Sequence, residues 1–176
     1  MTFAQPNRKI VIHLTENYTD ARVPLPKLRK LAGIVCDRFG GDKTRQTRCE
    51  ISIAVVDDIQ IRELNGRFLD RQETTDCLSF DLSDENEEPQ AGNPTSRTLE
   101  LIVNGEMAAR QAERRGHSSE AELALYIAHG LLHHFGFDDA TPSQTRTMHK
   151  TEDEILKHLG YGSVYNSKVK EREQET

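Results

Sequence analysis

The stretch Glu120–Asp139, EAELALYIAHGLLHHFGFDD, decides how this chain is interpreted. At about 100° per residue, its apolar side chains point around nearly the whole helix, which indicates a helix buried in the middle of a domain. These side chains are Leu123, Leu125, Tyr126, Ile127, Leu131 and Leu132. The same helix carries His129 and His133, four residues apart and therefore on one face, where two unpartnered imidazoles would be costly to bury. A bound metal ion would satisfy both rings.

The residues that follow complete a pattern, His129-x3-His133-x2-Gly136-x2-Asp139. Gly136 can take the left-handed conformation that ends a helix, and the returning chain then brings Asp139 over the histidine face. Three protein ligands with one open coordination position are typical of catalytic zinc sites, although iron, nickel or cobalt accept the same donors. A lone His-x3-His pair more often has one capping or packed histidine and one exposed histidine. The glycine and the carboxylate at these offsets favour the metal site.

The spacing resembles the zinc helix of metzincin peptidases, but their general base is a glutamate and here that position is Gly130. The segment is more similar to the YbeY family of bacterial metallo-endoribonucleases, whose signature reads His-Gly-x-Leu-His-x-x-Gly-Tyr-Asp-His. This chain departs from it at Phe137, a tyrosine in the family, and at Asp139, which stands in the place of the third histidine ligand.

The resemblance extends over roughly residues 50 to 156. A second family block reads approximately Leu-Asn-x-x-Tyr-Arg-x-x-Asp-x-Pro-Thr-Asp-Val-Leu-Ser-Phe, and the matching residues here are Leu64, Asn65, Thr75, Asp76, Leu78, Ser79 and Phe80. Leu69 stands where many members place an arginine implicated in activity. Arg67 and Arg71 lie close by and are candidates to bind a substrate phosphate, as are Arg110 and Arg114, four residues apart. All four are equally compatible with a solvated surface.

Glu122 lies seven residues before His129 on the same predicted helical face. It is a candidate hydrogen-bond acceptor that would hold a ligand histidine in orientation. An equally good interpretation is a favourable acid in the first turns of the helix.

The family resemblance implies a mixed sheet with the metal in a cleft beside it, and single-stranded RNA as the substrate. It also implies roles in 16S rRNA 3′-end maturation and ribosome quality control, with rRNA and the small ribosomal subunit as partners. The metal would activate water and polarise a phosphoryl oxygen, and arginines would hold the strand. The catalytic side chain is unknown. A non-catalytic ribosome-associated factor is the alternative, because Leu69 and Asp139 both depart from the family pattern; a metallopeptidase is a more remote one.

Composition sets further bounds. The chain of 176 residues is long enough for one domain with a proper core. Its net charge of −6, from 23 Lys and Arg against 29 Asp and Glu, argues mildly against a generic nucleic-acid binder. The acidic excess is local, and most of it comes from Asp81, Asp84, Glu85, Glu87 and Glu88. An RNA-facing surface elsewhere therefore remains compatible with the charge.

Localisation follows from what the sequence lacks. The chain contains no run of eighteen apolar residues, which excludes a membrane span, and its amino terminus has no apolar signal-peptide core. Cys36, Cys49 and Cys77 show no CxxC spacing and are expected to be reduced core residues in a cytoplasmic protein.

Hydrophobic periodicity predicts the order β-α-β-α-β-β-α-α-α, an α+β pattern with one sheet of about four strands around the buried histidine helix. The predicted strands are Lys9–Leu14, Cys49–Val56, Asp76–Leu82 and Thr98–Val103. Residues 1–162 are expected to form a single metallohydrolase domain like that of the YbeY family, and residues 163–176 a polar, frayed tail. The periodicity does not predict the order of the strands in the sheet.

Overall fold

The computed structural model describes residues 9–40, 48–84 and 96–165. Its elements are β1 (Ile10–Glu16), α1 (Leu25–Phe39), β2 (Arg48–Val56), α2 (Asp58–Leu69), β3 (Cys77–Asp81), β4 (Ser96–Asn104), α3 (Gly105–Arg115), α4 (Ser119–His133) and α5 (Pro142–His158). The predicted element order is confirmed. The predicted strand limits lie within two residues of these.

The four strands form one sheet in the order β1-β2-β4-β3. β1, β2 and β4 are parallel, and β3 pairs antiparallel with β4 at the edge. Parallel neighbours need crossover connections, which α1 supplies between β1 and β2. The predicted α+β class, with a mixed four-stranded sheet, is therefore confirmed.

α4 is the central helix of the fold, as its all-round apolar pattern predicts. Its residues from Ala121 to Ala128 are all buried, and so are those from Gly130 to Leu132. The core cluster around it includes Leu31 and Val35 from α1 and Met148 and Ile155 from α5. The histidines that α4 carries are consequently held by packing on several sides.

Gly130 allows α4 to approach the sheet closely. A Cβ atom at this position would lie 2.7 Å from Cys77 Sγ in β3 and 2.9 Å from Leu101 Cδ2 in β4. Both distances are too short for any side chain at position 130 without rearrangement. Gly130, which follows His129, is therefore the point at which α4 packs closely against β3 and β4.

The opposite face of the sheet packs against α2 and carries a smaller core cluster of Val56, Ile61, Leu78 and Ile102. Phe68 lies at the end of α2 and is 57% exposed, with its ring 5.5 Å from that of Phe80. Leu82, predicted to belong to the third strand, lies beyond its end and is 58% exposed.

The chain beyond α5 is packed further than the predicted tail boundary allows. Val164 is buried, and its backbone N–H donates to Asp153 of α5. Residues 85–95, which include most of the acidic loop, and residues 166–176 of the predicted tail lie outside the described residues. Among the helices of the described ranges, none has both the length and the apolarity needed to cross a membrane.

Candidate metal centre

The three predicted metal ligands come together at the end of α4. His129 Nε2 and His133 Nε2 are 3.0 Å apart, and Asp139 Oδ2 lies 3.6 Å from the first and 4.0 Å from the second. Their arrangement follows from local sequence, because residues four apart share a helix face and Asp139 follows the Gly136 turn. Gly136 has a φ of 89°, the left-handed conformation predicted for it.

The turn that carries Asp139 is fixed at several points. The Phe137 ring packs edge-on against Phe39 of α1 at 4.8 Å between centroids. The backbone N–H of Asp139 donates to Asp138 Oδ1, and its carbonyl accepts from Thr145 Oγ1 of α5. The Asp139 side chain itself stays 46% exposed, which leaves one side of the centre open to solvent.

Hydrogen bonds on the far sides of the two rings determine which nitrogen carries a proton. His129 Nδ1 is 2.7 Å from Glu152 Oε1, and His133 Nδ1 is 3.2 Å from the carbonyl oxygen of Phe137. Both partners accept, so in the neutral rings each Nδ1 is the donor and each Nε2 presents a lone pair. In the neutral rings, two Nε2 lone pairs and the oxygen of Asp139 then face one another, and either a proton on one ring or a metal ion would satisfy them. These three atoms are therefore a candidate set of metal ligands.

The separations of these atoms fit a first-row divalent metal ion. Tetrahedral zinc with ligand distances of about 2.0–2.2 Å places its ligand atoms about 3.3–3.6 Å apart. The observed separations of 3.0, 3.6 and 4.0 Å bracket this range. The point in the plane of the three atoms that is equidistant from them lies about 2.1 Å from each, within the zinc range. The donor set and its spacing therefore fit the metal that the sequence predicts.

Electrostatics favour positive charge at this position. Burial alone lowers the pKa of His129, but the hydrogen bond and charge of Glu152, together with the charges of Asp76 and Asp139, raise that pKa above its ordinary value. The same negative charges attract a metal ion, which competes with a proton for the His129 ring.

Glu152 is the residue that the sequence prediction missed. It lies on α5 and is 1% exposed. The available signal was its position, because Glu152 is four residues after Met148 and three before Ile155, on the apolar stripe of α5. An acid in the middle of such a stripe indicates a buried carboxylate with a specific partner.

The orienting role predicted for Glu122 is wrong, because Glu152 fills it. Glu122 is fully buried at the start of α4, with Oε1 2.8 Å from Arg115 Nη1. Its Oε2 lies 2.9 Å from His117 Nε2, out of hydrogen-bond alignment. Glu122 therefore holds the turn between α3 and α4.

Among the described residues, no hydrogen bond or ion pair joins the candidate RNA-binding arginines to His129, His133 or Asp139. Arg110 contacts Asp58 through both terminal guanidinium nitrogens, at 2.9 and 3.4 Å, and Arg67 contacts Glu63 on the outer face of α2. Arg71 and Arg114 are exposed, as expected for residues free to meet a ligand in solvent.

Arg97 is a cation near the metal helix that the sequence prediction overlooked. Its guanidinium lies over the Phe135 ring, 4.4 Å from the centroid, and donates to the carbonyl of His134. It also approaches Asp81 Oδ2 at 3.4 Å. Arg97 thus ties the carboxyl end of α4 to the edge of the sheet.

Comparisons with known proteins identify the family of this chain. Residues 13–160 match the family model described as Endoribonuclease YbeY. The Endoribonuclease YbeY of Nocardioides sp. is 34% identical over 131 residues, covering 73% of this chain and 87% of that protein. That of Anaeromyxobacter dehalogenans is 32% identical over 151 residues, covering 86% of this chain and 72% of that protein.

A solved structure shares the fold. The solution structure of a protein from Thermotoga maritima matches with a TM-score of 0.57 at 19% identity, covering 94% of this chain and 96% of that chain. The matched range, residues 13–160, runs from within β1 to just beyond the end of α5. The chain therefore belongs to the YbeY endoribonuclease family.

Proposed function

We propose that this protein is a metal-dependent, single-strand-specific endoribonuclease that acts in 16S rRNA 3′-end maturation and in ribosome quality control. The observation that carries the proposal is the convergence of His129 Nε2, His133 Nε2 and Asp139 Oδ2 in a chain of the YbeY endoribonuclease family. We assign it to the cytoplasm, with single-stranded RNA, rRNA and the small ribosomal subunit as partners.

His129, His133 and Asp139 would hold one zinc ion per chain. When bound, such an ion supplies a more acidic water and polarises a phosphoryl oxygen. The chain contributes the orientation of both rings through Glu152 and Phe137, and it leaves the Asp139 side open for water and substrate. Burial lowers the pKa of His134, and its Nε2 is buried with no hydrogen-bond partner among the described residues, so we do not assign it as the general base.

Exposed cations are needed to hold an RNA strand beside the centre. Arg71 and Arg114 retain that role in the proposal because both side chains are exposed. Arg67 would have to leave an exposed contact with Glu63, which costs little. Arg110 would have to break its contact with Asp58, so it is the weakest of the four candidates.

The metallopeptidase alternative conflicts with the packing of Gly130. A peptidase needs a glutamate after the first histidine, and a side chain at position 130 would meet Cys77 Sγ and Leu101 Cδ2 within 3 Å. Either the helix or these two side chains would have to move to make room for it.

The second candidate function is a ribosome-associated factor without catalysis. One observation favours it: Leu69, which replaces the arginine that the resemblance places there, is 48% exposed at the end of α2. An apolar residue there offers no bond to a phosphate. The convergence of His129, His133 and Asp139 in one candidate metal site is what supports the enzyme instead, because binding alone does not require it.

The experiment that tests the proposal begins with metal content by elemental analysis of tag-free protein. We expect about one transition-metal ion per chain in the wild type and in Glu154→Ala, an exposed control on α5, and loss of the ion in His133→Ala and Asp139→Ala. Wild-type protein that holds no metal after zinc is resupplied would contradict the proposal.

The second part of the experiment compares cleavage of a single-stranded RNA with cleavage of a duplex of the same sequence. We expect cleavage of the single strand only, abolished by a chelator and restored by zinc. A protein that binds metal and ribosomal subunits without cutting either RNA would support the non-catalytic alternative.

A further inference from the structure

We propose that Tyr165, at the end of the described chain, positions the metal ligand His129 through His149 and Glu152. The packing of the C-terminal segment Val164–Tyr165 then sets the affinity of the centre for its metal. This inference rests on the metal site of the proposed function and adds the part of the fold that controls it.

The first link is Glu152, which uses both carboxylate oxygens. Oε1 accepts from His129 Nδ1 at 2.7 Å, and Oε2 accepts from His149 Nδ1 at 2.8 Å. A carboxylate held by one ring alone can rotate about its terminal torsion, whereas two opposed partners fix its plane. His149 therefore restricts the direction from which Glu152 holds His129.

The second link is the contact between His149 and Tyr165. The two rings are stacked, with centroids 3.4 Å apart and planes 13° from parallel. His149 is only partly buried, so without this ring one face of the imidazole would be in water and free to turn. Tyr165 therefore limits the motion of the side chain that fixes Glu152.

The third link is the attachment of the C-terminal segment itself. Gly160 and Gly162 take left-handed conformations that turn the chain back along α5. Asp153, the neighbour of Glu152, then accepts the backbone N–H groups of Val164 and Tyr165, both at 3.0 Å. Adjacent acids on one helix thus anchor the segment and hold the ligand histidine.

Burial distinguishes this line of side chains from an ordinary surface network. Glu152 and Asp153 are 1% and 3% exposed, and Val164 is 1% exposed. A buried carboxylate carries a desolvation cost that well-packed apolar side chains avoid. Its two ordered histidine partners offset that cost, and one of them, His129, presents its other nitrogen to the metal centre.

The test measures Zn²⁺ affinity of the full chain by competition with a chromophoric chelator. Glu152→Gln is expected to lose about 10–100-fold in affinity. His149→Phe keeps a ring to stack on Tyr165 but removes the hydrogen bond, and Tyr165→Ala removes the ring; both should bind zinc several-fold more weakly than the wild type. Tyr165→Phe and Glu154→Gln, an exposed change on the same helix, should match the wild type.

A double mutant decides whether Tyr165 acts through His149. Tyr165→Ala should lower the affinity in the wild-type background and leave it unchanged in the His149→Phe background. Thermal unfolding of each metal-free variant checks that the affinity changes are not a loss of fold. Tyr165→Phe should restore affinity relative to Tyr165→Ala, since only the ring is needed.

Unchanged zinc affinity in both His149→Phe and Tyr165→Ala would overturn the inference and leave the proposed function intact. An equal loss from Tyr165→Ala in both backgrounds would also overturn it, because the effect would then bypass His149. If the wild type itself bound no Zn²⁺, both the proposed metal site and this inference would be overturned.

Discussion

Two buried carboxylates, Glu122 and Glu152, have similar surroundings but hold different parts of the structure. Each is at most 1% exposed and lies between two basic side chains. The partners of Glu122 are Arg115 and His117, which belong to the turn between α3 and α4. One partner of Glu152 is His129, whose other nitrogen faces Asp139 and His133. Of these two buried acids, only Glu152 has a partner that is also a candidate metal ligand.

The largest effect is expected from a third acid placed on α4 without a partner. Gly130→Glu would bring a carboxylate against Cys77 and Leu101, where a Cβ atom already comes within 3 Å of both. The clash and the unpaired charge together should cost more than about 4 kcal/mol of unfolding free energy. Chemical denaturation or failure to obtain folded protein would show this.

Gly130→Ala, alone and combined with Cys77→Ala, provides the control. The single change should destabilise less than the glutamate, and removing the Cys77 sulfur should recover part of the loss. Stability of Gly130→Glu equal to the wild type would mean that α4 shifts freely on the sheet.

Glu122→Gln tests whether Glu122 stabilises the turn between α3 and α4 without affecting the candidate metal centre. Glutamine keeps the shape but leaves Arg115 without its charged partner, although Arg115 is partly exposed and regains some water. We expect a loss of about 1–3 kcal/mol in unfolding free energy and no change in Zn²⁺ affinity. A drop in zinc affinity as large as that of Glu152→Gln would erase the distinction between the two acids.

Glu152→Gln in the presence of excess metal tests whether Glu152 supports zinc binding through His129. Zinc at about 1,000 times its dissociation constant stabilises a protein by about 4 kcal/mol, and a weaker site gains less at the same concentration. We expect the gain from zinc to shrink by about 1.4–2.7 kcal/mol in Glu152→Gln, which corresponds to the 10–100-fold affinity loss. Thermal unfolding with and without zinc measures it, and an undiminished gain would contradict the role of Glu152.

The same two acids show how far the sequence supports prediction. The convergence of His129, His133 and Asp139 was predictable because helix period and a glycine turn are local properties. Glu122 was misassigned because seven residues along an α-helix span about 10.5 Å, too far for a hydrogen bond to His129. Glu152 reaches His129 from another helix, and periodicity contains no information on which faces of two helices meet.

The sheet shows the same limit. Alternating residues such as Ile51 and Ile53 indicate a strand, and all four strands were predictable in this way. The position of β3 at the edge, antiparallel to β4, depends on pairing between distant segments, which the alternation does not encode. Val164 was assigned to a polar tail because a single apolar residue among polar ones shows no hydrophobic periodicity from which its burial could be predicted.

The smallest effect is expected from Glu120, an acid on α4 that is neither fully buried nor near the metal. Its Oε1 accepts from Lys27 Nζ at 2.7 Å and from the Tyr161 hydroxyl at 2.6 Å, and these hydrogen bonds hold the pKa of the Glu120 carboxyl below its ordinary value. Because the pKa is lowered on folding, the stabilisation is complete above the unfolded pKa and is lost as pH falls through the folded one. Glu120→Gln should therefore cost less than about 1 kcal/mol at neutral pH, since solvent screens the pair, and its stability should converge with that of the wild type in acid. Denaturation midpoints at neutral and acidic pH measure this difference, and a gap that widened as pH fell would show that the charge of Glu120 is not what stabilises the fold there.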